Sequence, residues 1–127
     1  MKSFLVAPGR RVRLKEWDAN DHADGKPHAE EQLKKLNREF EDLQYLLFAE
    51  RRHKVLVVLQ GVDTSGKDGV IRRVFGSVDP QGVRVASFKA PTQAELDHDY
   101  LWRVHREVPG RGEIVLFNRS HYEDVLI

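Results

Sequence analysis

Cysteine is absent from the 127 residues, and methionine occurs once. That absence excludes a disulfide scaffold, a cysteine nucleophile and a thiolate zinc site. It is compatible with a cytoplasmic location, which is the expectation. No apolar run approaches the roughly 20 residues needed to cross a bilayer, and the N-terminus lacks the apolar core of a secretory signal. Neither sign of charge is in excess. With 21 basic and 20 acidic residues the net charge is +1, so no bulk field draws the chain to nucleic acid or membrane, and neither is expected as a partner. Any anion site must be built locally. What is present, 40% hydrophobic and 32% charged residues, suits one globular domain that buries about two-thirds of its unfolded surface.

The first 29 residues read as an irregular arm, and 30–127 as the folded domain. In the arm, a basic stretch from Arg10 to Lys15 precedes a piece rich in turn formers, Trp17 to Pro27. The arm is either simply solvated or lays Arg10, Arg11, Arg13 or Lys15 against an anionic ligand. From Ala29 to about Arg52, Leu33, Leu36, Phe40, Leu43 and Leu47 recur at steps of three and four. This predicts an amphipathic helix whose stripe packs on the domain's own sheet.

Lys54–Gln60 is short, continuously apolar and β-branched, as in a strand buried on both faces of a parallel sheet. Gly61 to Gly66 form a loop, and a helix is expected from Lys67 to about Ser77. Val83–Phe88 reads as a second strand. Thr92 with Glu95 three residues on forms a capping box, opening a helix expected to run to about Glu107. Pro109 to Gly112 turn the chain into a third strand, Glu113–Phe117. Strands alternating with helices across short connections imply an α/β fold: a parallel sheet flanked by helices, with right-handed crossovers. Ten residues follow the third strand, whereas open sheets usually carry more strands. The expectation is a fold truncated at that point.

Gly61-Val62-Asp63-Thr64-Ser65-Gly66-Lys67 has the spacing of a phosphate-binding loop: Gly, four residues, Gly, Lys. The glycines let successive N–H groups point inward at phosphate oxygens. The helix N-terminus adds its dipole, and the lysine reaches the terminal phosphates. Asp68 stands where Ser or Thr commonly follows the lysine, and Asp63 lies inside the loop. Two carboxylates beside a polyanion repel it unless a divalent cation bridges them, and Mg²⁺ suits that role. Asp63 is the better candidate for the metal, since Asp68 is equally explained as an acidic residue at a helix N-terminus.

Ligands of open parallel sheets bind beyond the carboxyl ends of the strands. The first and third strand ends are therefore expected to face one pocket. After the third come Asn118, Arg119, His121, Glu123 and Asp124. Arg119 could stabilise charge on a transferring phosphoryl group, or pair structurally with Glu123 or Asp124. Asn118 could serve the site or merely cap the loop. Lys89, after the second strand, reaches the same rim or is only solvated. His98 and His105 are read as structural, and Tyr100 and Trp102 as packing aromatics rather than a base-stacking platform.

Five blocks in order, Gly61–Gly69, Asp79–Val83, Phe88–Thr92, His98–His105 and Phe117–Asp124, together resemble the family-2 polyphosphate kinases over about residues 5–127. The resemblance implies a three-layer P-loop kinase-like sheet and a phosphotransferase. Its members move a phosphoryl group, with Mg²⁺, between inorganic polyphosphate and a nucleoside mono- or diphosphate. Gly61 to Lys67 would be the Walker A loop and Asn118-Arg119 the Walker B region. Asp63, Lys67 and Arg119 would be catalytic. Phosphate would be held by Gly61, Thr64, Ser65, Gly66, Lys67, Asp68, Lys89 and Arg119, and metal by Asp63 and Asn118. Many members have Asp where this chain has Asn118; Asn fits the branch associated with broad mono- and diphosphate acceptors. Members continue into further strands and a basic lid, so the chain is expected to be the N-terminal part of one. Two alternatives stay open: an ATP-dependent P-loop kinase, and a non-catalytic phosphate-binding module. A sheet edge left open would be covered by a second copy, in a homo-oligomer, or by the missing segment.

Overall fold

The computed structural model describes residues 8–16 and 26–123. The turn formers of 17–25, and Asp124, lie outside them. The chain divides into two compact units between Lys35 and Leu36. In the first, Leu14–Glu16 form one 3₁₀ turn, closed by Glu16 N–H donating to Arg13 O at 3.0 Å. Arg10, Arg11, Arg13 and Lys15 are exposed.

Helix α1 spans Lys26–Glu50, and the remaining elements follow as β1 Val55–Leu59, α2 Lys67–Phe75, β2 Val83–Ser87, α3 Gln93–Leu96, α4 Trp102–His105 and β3 Ile114–Asn118. The three strands form one parallel sheet in the order β1-β3-β2, with Val57 and Val85 both opposite Leu116. This is the expected parallel α/β architecture. Its centre is β3. Paired on both edges, it buries Ile114, Val115, Leu116 and Phe117 completely or nearly so. Ala86, Phe88 and Val104 join Val115 and Phe117 in the core, where the Phe88 and Phe117 rings meet edge to face at 4.7 Å.

Three expectations are corrected. β1 is not the strand buried on both faces: it lies at the edge of this sheet, with Val55, Leu56 and Val58 all exposed. An apolar β-branched run marks a parallel strand, but strand order decides which one occupies the middle. The apolar stripe of α1 is also rotated from the one expected, because Leu36 and Leu43 are exposed. The inward side carries Phe40, edge to face with Phe75 of α2 at 5.3 Å, Asn37, which donates to Arg73 O at 3.0 Å, and buried Gln44. Its partners are α2 and the turn before β2, where a side chain on Gly82 would strike Gln44. Finally, the helix expected from Thr92 to Glu107 is interrupted. The capping box forms, with Thr92 N–H on Glu95 Oε2 at 2.7 Å. After Leu96, however, Asp99 Oδ1 accepts from Leu101 N–H at 2.9 Å, a local bond that competes with helix continuation.

Candidate active site

The loop leaving β1 turns back on itself where the sequence places glycine. Gly66, the residue capping α2, has φ +89°, a left-handed conformation that glycine adopts without steric cost. At Gly61 space is tight: a Cβ there would sit 2.8 Å from Ser65 Oγ, which would have to move. Thr64 is left-handed as well, at φ +64°, and non-glycine residues in that region concentrate at functional sites. Lys67 opens α2, and its ammonium lies across the loop. It donates to Gly61 O at 2.8 Å, Val62 O at 2.9 Å and Ser65 Oγ at 3.3 Å. The loop curls around its lysine and stays open to solvent, with Asp63, Thr64, Ser65 and Asp68 exposed.

The chain segment after β3 meets this loop, as the strand-end argument predicts. Asn118 pairs with Leu59 across the sheet, and Arg119 N–H donates to Leu59 O at 3.0 Å. Arg119 is left-handed at φ +69°. Its guanidinium forks, one nitrogen reaching Glu123 Oε2 at 2.6 Å and the other Asp63 Oδ1. The bond to Glu123, and after it the bond to Asp63, pushes the guanidinium's pKa above its ordinary value. The structural pairing of Arg119 with Glu123 forms, and the same guanidinium also reaches the Gly61–Lys67 loop through Asp63. Asn118 does not merely cap its own turn, because its amide donates to Asp68 Oδ1 at 2.8 Å. Each loop carboxylate thus has a partner from the β3 end, which lowers the repulsion that an incoming polyanion would meet.

Beside Arg119 opens a cavity of about 680 Å³, lined by Phe88 to Pro91 after β2, Glu95, Leu96, His98, Tyr100, Arg103, Arg119 and Glu123. Lys89 lines this cavity and is exposed to solvent. Arg103 is a cation not singled out from the sequence. It is 6% exposed, donates to Lys89 O at 2.8 Å and lies over the Phe88 ring. Tyr100 is not a buried packing aromatic: it is exposed on the cavity wall, its ring 5.9 Å from that of His121. His98 stacks on Trp102 at 4.0 Å, the structural role expected of it. Glu123 is the Arg119 partner that the sequence offered, whereas Gln60, which donates to it, carries no distinctive spacing at the end of β1. Among the described residues no cluster of three or more His, Asp or Glu could hold a metal by itself. No described helix is long and apolar enough to cross a membrane.

Comparison with known proteins converges on one family. Residues 23–127 match Polyphosphate kinase 2 (PPK2). The chain is 58% identical over 130 residues to the AMP/ADP-polyphosphate phosphotransferase of Meiothermus ruber, covering all of this chain and 49% of that protein. It is 47% identical over 128 residues to the ADP-polyphosphate phosphotransferase of Rhodopseudomonas palustris, covering 99% of this chain and 44% of that protein. Among solved structures, Polyphosphate Kinase 2 from Arthrobacter aurescens TC1 superposes with a TM-score of 0.86 at 39% identity, over 96% of this chain and 46% of that one. The chain spans about half the length of the relatives it matches.

Proposed function

The chain belongs to the polyphosphate kinase 2 family, and from that premise we propose that it transfers a phosphoryl group between inorganic polyphosphate and a nucleoside mono- or diphosphate. AMP or ADP is the acceptor that the Meiothermus ruber relative's name supports. The observation that carries the reading is the meeting of two strand ends: the β1 loop with Lys67 and Asp63, and the β3 turn with Arg119, beside a cavity large enough for a nucleotide.

Phosphoryl transfer asks a protein mainly to position the reacting groups and neutralise charge. Gly61, Thr64, Ser65 and Gly66 and the start of α2 at Asp68 would cradle phosphate, the Ser65 N–H first leaving Val62 O, to which it donates at 3.2 Å. Lys67 would exchange carbonyl partners for phosphate oxygens. Arg119, held by Glu123, would bind the oxygens on which charge accumulates. Lys89 would meet phosphate from the β2 side. The pairing of Asp63 with Arg119 ties the loop after β1 to the turn after β3.

The donor set fits Mg²⁺, which needs one or two carboxylates and takes its other ligands from phosphate and water. Asp63 and the amide oxygen of Asn118 would hold it. Held there, such an ion would supply charge neutralisation to the phosphate groups. The reading includes a cytoplasmic location, where nucleotide acceptors are found, and a second copy of the chain against the exposed side of β1.

Incubating the protein with polyphosphate, Mg²⁺ and AMP or ADP should yield the next higher phosphate, and ATP should not replace polyphosphate as donor. Product formation unaffected by Lys67→Ala, or seen only with ATP, would contradict the assignment.

A further inference from the structure

We propose that Gln60 is a positioning residue that fixes the aim of Arg119 through Glu123; the proposal rests on the reading of Arg119 as a phosphate-binding cation. Gln60 follows β1, while Ser120 and Glu123 lie in the turn after β3. Ser120, 2% exposed, donates its hydroxyl to Gln60 Oε1 at 2.9 Å. Gln60 Nε2 in turn donates to Glu123 Oε1. The other Glu123 oxygen receives the Arg119 guanidinium at 2.6 Å.

The chemistry of these groups leaves one arrangement. A carboxylate only accepts, so the amide must present its NH₂ to Glu123 and its oxygen to Ser120. Glu123 is 8% exposed, and a buried carboxylate is tolerated only while its oxygens are bonded. With one oxygen held by Gln60 and the other by Arg119, the guanidinium cannot swing away without leaving an unpaired buried acceptor. The backbone agrees, because Arg119 is held left-handed at φ +69° while its N–H is bonded to Leu59 O, one residue before Gln60. Arg119 and Glu123 line the cavity and Gln60 does not. Its influence therefore passes through Glu123.

Two readouts on the full chain separate this proposal from the functional reading beneath it. The first is the NMR signal of the Arg119 Nε–Hε group, assigned by its loss in Arg119→Ala. The second is calorimetric affinity for tripolyphosphate with Mg²⁺. Gln60→Ala should broaden the Arg119 signal and speed its proton exchange, and should weaken tripolyphosphate binding about tenfold. The double variant Gln60→Ala/Arg119→Ala should bind no worse than Arg119→Ala alone. The exchanged pair Gln60→Glu/Glu123→Gln, which restores donor opposite acceptor, should recover the Arg119 signal, and it decides the matter if Gln60→Ala does not fold. An unchanged Arg119 signal in Gln60→Ala, additive losses in the double variant, or no recovery in the exchanged pair would overturn the proposal. Should the parent bind no tripolyphosphate, the phosphate-site reading fails, and the Arg119 signal alone still decides whether Gln60 positions it.

Discussion

At the scale of single residues, the site depends on two kinds of constraint that the sequence displays unequally. The glycine–lysine spacing is legible because a phosphate-binding loop would need amides and a cation at fixed intervals; in the structure Lys67 lies across the loop on its carbonyls. Lys67→Ala removes the ammonium while leaving the glycines that shape the turn. Titration with tripolyphosphate should show at least a tenfold loss of affinity, since charge-assisted hydrogen bonds are the stronger class. Equal binding by the variant would move the phosphate site elsewhere. Gly66→Ala tests shape instead of charge. At φ +89° an added Cβ costs about 1–2 kcal/mol, read as a lower midpoint in urea unfolding. By contrast, nothing in the sequence pairs Gln60 with Glu123, 63 positions apart. A hydrogen bond between lone polar residues leaves no periodic trace, and only the adjacency of β1 and β3 makes it possible.

At the scale of elements, local chemistry was legible and orientation was not. The capping box at Thr92 follows from two side chains three residues apart, and it forms. How far the helix would continue depended on whether Asp99 bonded its own backbone, a competition that propensities do not resolve. Likewise, the period of α1 was visible, but which side would face inward was set by Phe75 and Gly82 on other elements. Thr92→Ala should cost about 1 kcal/mol of stability. The same cap gives a pH dependence whose sign is fixed. The backbone N–H of Thr92, above all, holds the Glu95 carboxyl below its ordinary value of 4.5. A depressed carboxyl contributes stability above its unfolded pKa and loses it as pH falls through the folded one. Denaturation midpoints should therefore drop on acidification below about 4.5, and the drop should be smaller in Glu95→Gln.

At the scale of the whole molecule, the core and the site share one strand. β3 buries four consecutive apolar residues, and its end delivers Asn118 and Arg119 to the loop that leaves β1. Truncating Leu116, which is fully buried, should cost about 2–5 kcal/mol, a large share of the roughly 5–15 kcal/mol that holds a domain together. A ligand bound only by the folded state restores stability by mass action, about 2.7 kcal/mol at a hundredfold excess over Kd. Tripolyphosphate with Mg²⁺ should therefore raise the melting temperature of both the parent and Leu116→Ala, because the cavity left in the core touches no phosphate ligand. It should raise that of Lys67→Ala by clearly less, about half as much for a tenfold loss of affinity. A rise of equal size in Lys67→Ala would place the stabilising anion away from the loop, and the surface arginines of 10–13 would become the next residues to substitute.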